Sequence, residues 1–522
     1  MPRAGARRRN PRRAAGWDTW RMGRVHAFAR FAATAVAIVV AARSSAAPPS
    51  DGAFGGFVAV PADVRLAVRV RDARALRADA RLAPLRDALQ ALLGSRTLSE
   101  SWDRLAAQLG TDASSLGDQL LGLDVVYAER ASAAAAEWAI VTRVDPRVHQ
   151  LLVDRLKPAA GSGGRAAFAE HRAVAAWRPP YLVVGPVDRA GLLDDVVRAF
   201  DAPGDAGTVA ALAPVAVLRD GPAAPIEVVW RQDPGSVAAM QARTGDRGVE
   251  VQFRGSGAAW PLRVAGSWPV DPSWCASLAR GAAFASVGNA WNGPADAAGP
   301  VDRLLAEGVV DEAMRANRGA RTAVVAFVGG RGEDPAIPQA AAAIEVRDAR
   351  LAWHQWRAWA ARLAARLAAR AGVPVPEVRE AGGPRAGIDL RAVLSKVFGG
   401  HPLAACGAVG LEVLPSGGRA WVIVSAGADA HERMRASLLE ATVAAPGAVH
   451  ECGEASGAAI SGMLSAWAAD AARFAPDASA EFADGASMAA RLAAAVARAR
   501  WRMHRIDDST VEGSCVIEVA RP

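Results

Sequence analysis

Lysine and tyrosine are nearly missing from this 522-residue chain, two of each (Lys157 and Lys396 are the lysines), against 59 Arg and 16 Trp. That skew follows GC-rich codon usage, so counts of Arg or Trp alone carry no functional weight. Recognisable catalytic spacings are missing too. There is no His-Glu-x-x-His, no paired Cys-x-x-Cys, no Ser-x-x-Lys and no Walker-type loop, and Ser456 in Gly453-Glu454-Ala455-Ser456-Gly457 sits one place late for a nucleophile elbow. Gly329-Gly330-Arg331-Gly332 is followed by Glu333-Asp334-Pro335, a loop where a dinucleotide turn needs a helix, so a hairpin turn is expected and no cofactor.

A long apolar run is also lacking. The leading candidate, Phe31–Ala42, has twelve residues and would span about 18 Å as a helix, against about 30 Å of hydrocarbon core. With the Arg-rich residues before it and Ser44-Ser45-Ala46-Ala47 after it, the run reads as a secretory leader over 1–47, cleaved after Ala46 or Ala47. Met22 would start a leader of ordinary length. Membrane contact is expected only through an uncleaved leader, and the localisation is exported, periplasmic or extracellular.

The net charge of +8 belongs to that leader. Residues 1–30 hold nine Arg and the single acid Asp18, which leaves the remainder neutral. A neutral, mixed-sign surface does not steer toward phosphate, so nucleic acid is not an expected partner. Half of the residues are apolar, enough for a packed core.

One local pattern recurs, an alternating apolar strand, then Asp, then an amphipathic helix. It occurs at Val64–Val70 with Asp72, Trp138–Val144 with Asp145, Tyr181–Val184 with Asp188, Ala342–Val346 with Asp348 and Trp421–Val424 with Asp429. Each Asp is expected to cap the helix that follows rather than to act as an acid or ligand. Alternating strands imply largely antiparallel sheets, with helices packed on one face, in the α+β class. The predicted units are a first α+β domain over 48–272, a second over 273–445, similar to it, and a segment over 446–522 with helices at 457–474 and 487–504 and a closing strand.

Val60-Pro61-Ala62-Asp63-Val64-Arg65-Leu66, Leu116-Gly117-Asp118-Gln119-Leu120-Leu121-Gly122 and Tyr181–Gly185 occur in this order. The arrangement resembles a family of secreted bacterial proteins that carry a domain of unknown function. The resemblance covers mainly residues 57–200. It implies an extracytoplasmic α+β domain and supplies no catalytic residues.

Three constellations remain as candidate sites. His450 and Cys452, at i and i+2 in His450-Glu451-Cys452-Gly453-Glu454, can share a strand face, with His401 and Cys406 as further candidate ligands, but zinc needs three or four. A Cys406–Cys452 disulfide is the plainer alternative; four Cys allow three pairings, and buried free thiols are equally compatible. Trp353, Trp356 and Trp359 stand at i, i+3 and i+6 on one helix. They serve either a wide core face or, if a ring protrudes, a binding surface. The leading expectation is a non-enzymatic binding or structural protein of the cell envelope, with another envelope protein as partner. The alternatives are an envelope hydrolase or metal-dependent enzyme near His401 and His450, and a periplasmic carrier of an apolar ligand.

Overall fold

The alternating segments fold as strands of one antiparallel sheet. In this computed structural model residues 55–521 are described, apart from 86, 89–95, 131–136, 157–158, 161–164, 169–172, 202–206, 220–223, 234, 247, 257–269, 290–311, 330–336, 399–406, 417, 441–448, 475–478 and 508. The leader therefore lies outside the described residues. Among those described, no helix is long and apolar enough to cross a membrane.

The first half contributes β1 (Leu66–Arg71), β2 (Asp124–Arg130), β3 (Glu137–Arg143), β4 (Ala159–Ala160), β5 (Arg165–Phe168), β6 (Ala173–Arg178), β7 (Tyr181–Pro186), β8 (Ile226–Asp233), β9 (Ser236–Gly245) and β10 (Gly248–Ser256). The second contributes β11 (Phe284–Asn289), β12 (Arg318–Gly329), β13 (Ile337–Val346), β14 (Val378–Glu380), β15 (Arg385–Asp389), β16 (Ala408–Ser416), β17 (Arg419–Ala426), β18 (Glu451–Ser456), β19 (Val496–Arg505) and β20 (Thr510–Val519).

Pairing in the first half runs β4-β5-β6-β7-β3-β2-β1-β8-β9-β10. In the second half it runs β14-β15-β16-β17-β13-β12-β11-β18-β19-β20, the same order with ten added to every label. The halves meet where β10 pairs with β20, from Gly248 opposite Glu518 to Ser256 opposite Thr510. The segment 446–522 thus supplies β18–β20, on the second half's side of that seam. The outermost strands, β4 and β14, have two and three residues. Such short edges offer little template for another chain to extend the sheet.

Helices longer than one turn include α1 (Arg96–Leu109), α2 (Ala113–Leu121), α3 (Pro146–Leu156), α4 (Gly191–Asp201), α5 (Pro272–Ala279), α6 (Ala349–Ala371), α7 (Arg391–Phe398), α8 (Ala428–Glu440), α9 (Gly457–Phe474) and α10 (Ser479–Ala494). They cover both faces of the sheet, not one as alternation alone suggested. Successive residues of a strand point to opposite faces. On β7, Leu182 packs with α1–α3, while Val183 packs with Leu192, Leu193 and Val196 of α4. On β17, Val422 packs with Trp356 and Trp359 of α6, and Ile423 with α5 and α8. Alternation is kept because the faces are covered by separate helices, each with its own apolar cluster.

Three of the five expected Asp caps are seen. Asp72, Asp145 and Asp348 accept from the main-chain N–H of Ala75, Arg147 and Leu351 at 3.0, 2.8 and 2.9 Å. Asp429, by contrast, lies inside the first turn of α8 and accepts from Gln339 Nε2 at 3.1 Å. The stretch 487–504 is helical only to Ala494. From Val496 its period is two, with Arg498, Arg500 and Arg502 exposed and Trp501 and Met503 half-buried on the other face, and it forms β19. Gly453 of β18 is required there, since a Cβ would run into the indole of Trp501.

Candidate functional site

The inward face of β16 reads Gly410, Glu412, Leu414, and that of β17 reads Trp421, Ile423, Ser425, paired in antiparallel register. A carboxylate on such a face is expensive to bury and needs partners. Glu412 has three. His431 Nε2–H donates to its Oε2 at 2.8 Å, and the Nε groups of Arg385 and Arg435 donate to Oε1 at 3.0 and 3.3 Å. Burial opposes the charge of Glu412, but hydrogen bonds from His431 and Arg385 outweigh it and hold the carboxyl below its ordinary pKa.

That carboxylate fixes the imidazole. With Nε2 as donor, Nδ1 is the acceptor, and it lies 2.9 Å from Ser425 Oγ, whose hydroxyl donates to it. Ser425, His431 and Glu412 therefore form a hydroxyl–imidazole–carboxylate relay, the arrangement that activates a hydroxyl as nucleophile. Imidazole here uses Nδ1 toward the hydroxyl and Nε2 toward the acid, the reverse of the serine-protease assignment.

Local structure explains the placement. Gly427 has φ 98° and turns the chain from β17 directly into α8, which brings His431 back over Ser425. A Cβ on Gly410, across the ladder, would stand 2.7 Å from Ser425 Oγ and 3.2 Å from His431 Nδ1, so glycine leaves the space that the pair occupies. Ser425 and His431 line a cleft of about 460 Å³, together with Gly410, Arg385 and Arg391. Its volume falls in the range of small-molecule sites. On the cleft wall Arg391 holds the Asp389 carboxyl down to about 2, through side-chain hydrogen bonds.

The same layer of the first half shows no such relay among the described residues; a polar contact there is the Arg165–Asp194 ion pair at 2.6 Å. Beneath α4, strands β6 and β7 present Val174, Ala176 and Val183 to Leu192 and Leu193. The architecture thus closes without a relay in this layer, and the polar set of the second half is not a requirement of the fold.

Of the residues singled out by sequence, His450, Cys452, Trp353, Trp356 and Trp359 fall among those described. His401 and Cys406 lie outside the described residues. His450 Nδ1 accepts from the Arg505 main-chain N–H at 2.8 Å, and burial lowers its pKa. Cys452 is buried against Cys275. Among the described residues no group of three or more His, Cys, Asp or Glu side chains could hold a metal ion. Trp356 and Trp359 are buried and meet edge to face at 5.1 Å, with half-buried Trp353 packed against the same cluster; the stripe is a core face. Ser425, His431 and Glu412 escape motif reading because their separation reflects a strand pairing and a strand-to-helix turn. The available signal was Glu412, an acid in an otherwise apolar strand.

Comparison with family models, curated proteins and solved structures finds no match.

Proposed function

We propose that the chain is an exported cell-envelope protein built from two copies of one ten-stranded unit, the second of which carries a hydrolytic acyl-transfer site. The observation that carries the chemistry is the Ser425–His431–Glu412 relay on the wall of a cleft. Ser425 Oγ attacks the acyl carbon of an ester or amide, His431 Nδ1 takes its proton and returns it to the leaving group, and Glu412 holds Nε2–H and stabilises the imidazolium. Water then repeats the sequence to release the acid. Export is supported by the leader and by the resemblance at residues 57–200, and duplication by the repeated pairing order.

A second reading, a binding protein without turnover, draws on one observation: Ser425 is only 3% exposed. The two separate on one experiment. Under the acyl-transfer reading the purified chain is labelled at Ser425 by a fluorophosphonate and hydrolyses p-nitrophenyl esters, and Ser425→Ala abolishes both while remaining folded. A wild-type protein that neither labels nor hydrolyses any of an acyl-length series of such esters would leave the binding reading.

A further inference from the structure

We propose that Cys275 and Cys452 are joined by a disulfide in the exported protein. Asp271 caps α5, accepting from Ser273 N–H at 2.8 Å, and Pro272 begins the helix. That start sets α5 against the sheet with Trp274, Cys275 and Leu278 buried. Cys452 lies on β18 between Val287 of β11 and Arg502 of β19, on the face that α5 covers. The two thiols are buried neighbours inside one apolar cluster.

Cys515 is excluded as a partner. It pairs with Trp501, which pairs with Gly453, so it stands two strands away and one residue out of phase with Cys452, on the opposite face. It packs there in a different apolar cluster.

The pair is chemically unequal. The contact with Cys452 holds the Cys275 thiol below its ordinary pKa, whereas that same contact, together with burial, pushes Cys452 up. That inequality belongs to the docked state, and before docking the attacking thiolate is whichever of the two ionises first. Its sulfur opens the disulfide of a small or protein oxidant, releasing one oxidant thiol and leaving a mixed disulfide. The sulfur of the other cysteine, losing its proton, then displaces the second oxidant thiol. Two protein thiols are oxidised by two electrons, and one oxidant disulfide is reduced to two thiols. Both sulfurs are buried in the folded chain, so the exchange takes place before α5 docks on β18. The bridge would fix the first helix of the second half to the strand that flanks β11 on the seam side.

This inference rests on the proposed export and not on the relay at Ser425. The full chain is refolded with reduced and oxidised glutathione, alkylated in denaturant, digested and mapped. A linked Cys275–Cys452 peptide that disappears on reduction is expected, and Cys275→Ser should leave Cys452 alkylated, as Cys452→Ser should leave Cys275. Free thiols at both positions, or linkage of either to Cys406 or Cys515, would overturn the pairing. In parallel, the chain with its own leader is expressed in a bacterium and alkylated before lysis. A linked peptide there supports pairing and export together. Linkage on refolding with free thiols in the cell keeps the pairing and overturns export.

Discussion

Glu412→Gln is the most informative single change. The amide keeps the shape and one acceptor for His431 Nε2–H, but it removes the charge that pairs with Arg385 and Arg435. A hydrogen bond to a charged group contributes about 1.5–3 kcal/mol. Both guanidiniums reach solvent, Arg385 with 41% and Arg435 with 32% of its side chain exposed, and can rehydrate. Their share is screened accordingly, so the expected loss is about 2 kcal/mol in urea unfolding near pH 7. The pH dependence has a definite sign. Because the folded pKa of Glu412 is depressed, its contribution is complete above the unfolded value, about 4.3, and is lost as pH falls through the folded value. Wild type and variant should therefore differ at pH 7 and converge as the pH drops below about 4. A difference under about 0.5 kcal/mol at pH 7, or one that persists undiminished at low pH, would refute the view that Glu412 is held as a charged hub. Ester hydrolysis should fall in the same variant by roughly 10³–10⁴-fold, since the imidazole loses its anionic anchor.

Three further outcomes are expected. Gly410→Ala places a methyl 2.7 Å from Ser425 Oγ; it should cost about 1–3 kcal/mol of stability and abolish fluorophosphonate labelling, and an unchanged labelling rate would contradict the close approach. Trp356→Ala opens a cavity beside Trp359 and should cost about 3–5 kcal/mol by denaturant titration; a loss below about 1 kcal/mol would mean that the stripe is not core. Gln252→Pro strikes the middle of β10, between Gln241 of β9 and Ser514 of β20. It should cost about 3 kcal/mol or more, and an unaltered urea midpoint would argue against the seam.

Much of the element content was legible because it is local. Period-two alternation located β1, β3, β7, β13 and β17, and Asp72, Asp145 and Asp348 announced the helices behind three of them. What failed was what composition imitates or distance hides. Val496–Arg505, rich in Ala and Arg, resembles helix until its period is counted. Glu451–Ser456 is polar enough to be passed over, yet it joins β11 to β19. Coverage of both faces was invisible because alternation records that two environments differ, not that one of them is solvent. The candidate site was hidden for a related reason: Gly410, Glu412, Ser425 and His431 become neighbours only through the β16–β17 register and the turn at Gly427. Cys275 and Cys452 meet by packing of a helix on a sheet, which no spacing rule encodes.

The seam between β10 and β20 has a consequence for how the halves can differ. An antiparallel ladder between equivalent strands is the contact that a two-fold symmetric dimer of a single half would use. In such a dimer every substitution appears twice, so a buried acid introduced beneath one helix would burden both subunits. Within one chain the same ladder imposes no such identity. The second half can hold Glu412, His431 and Ser425 while the first keeps Val174, Ala176 and Val183, leaving one partner to supply rigidity and the other to accept the energetic burden of a buried acid.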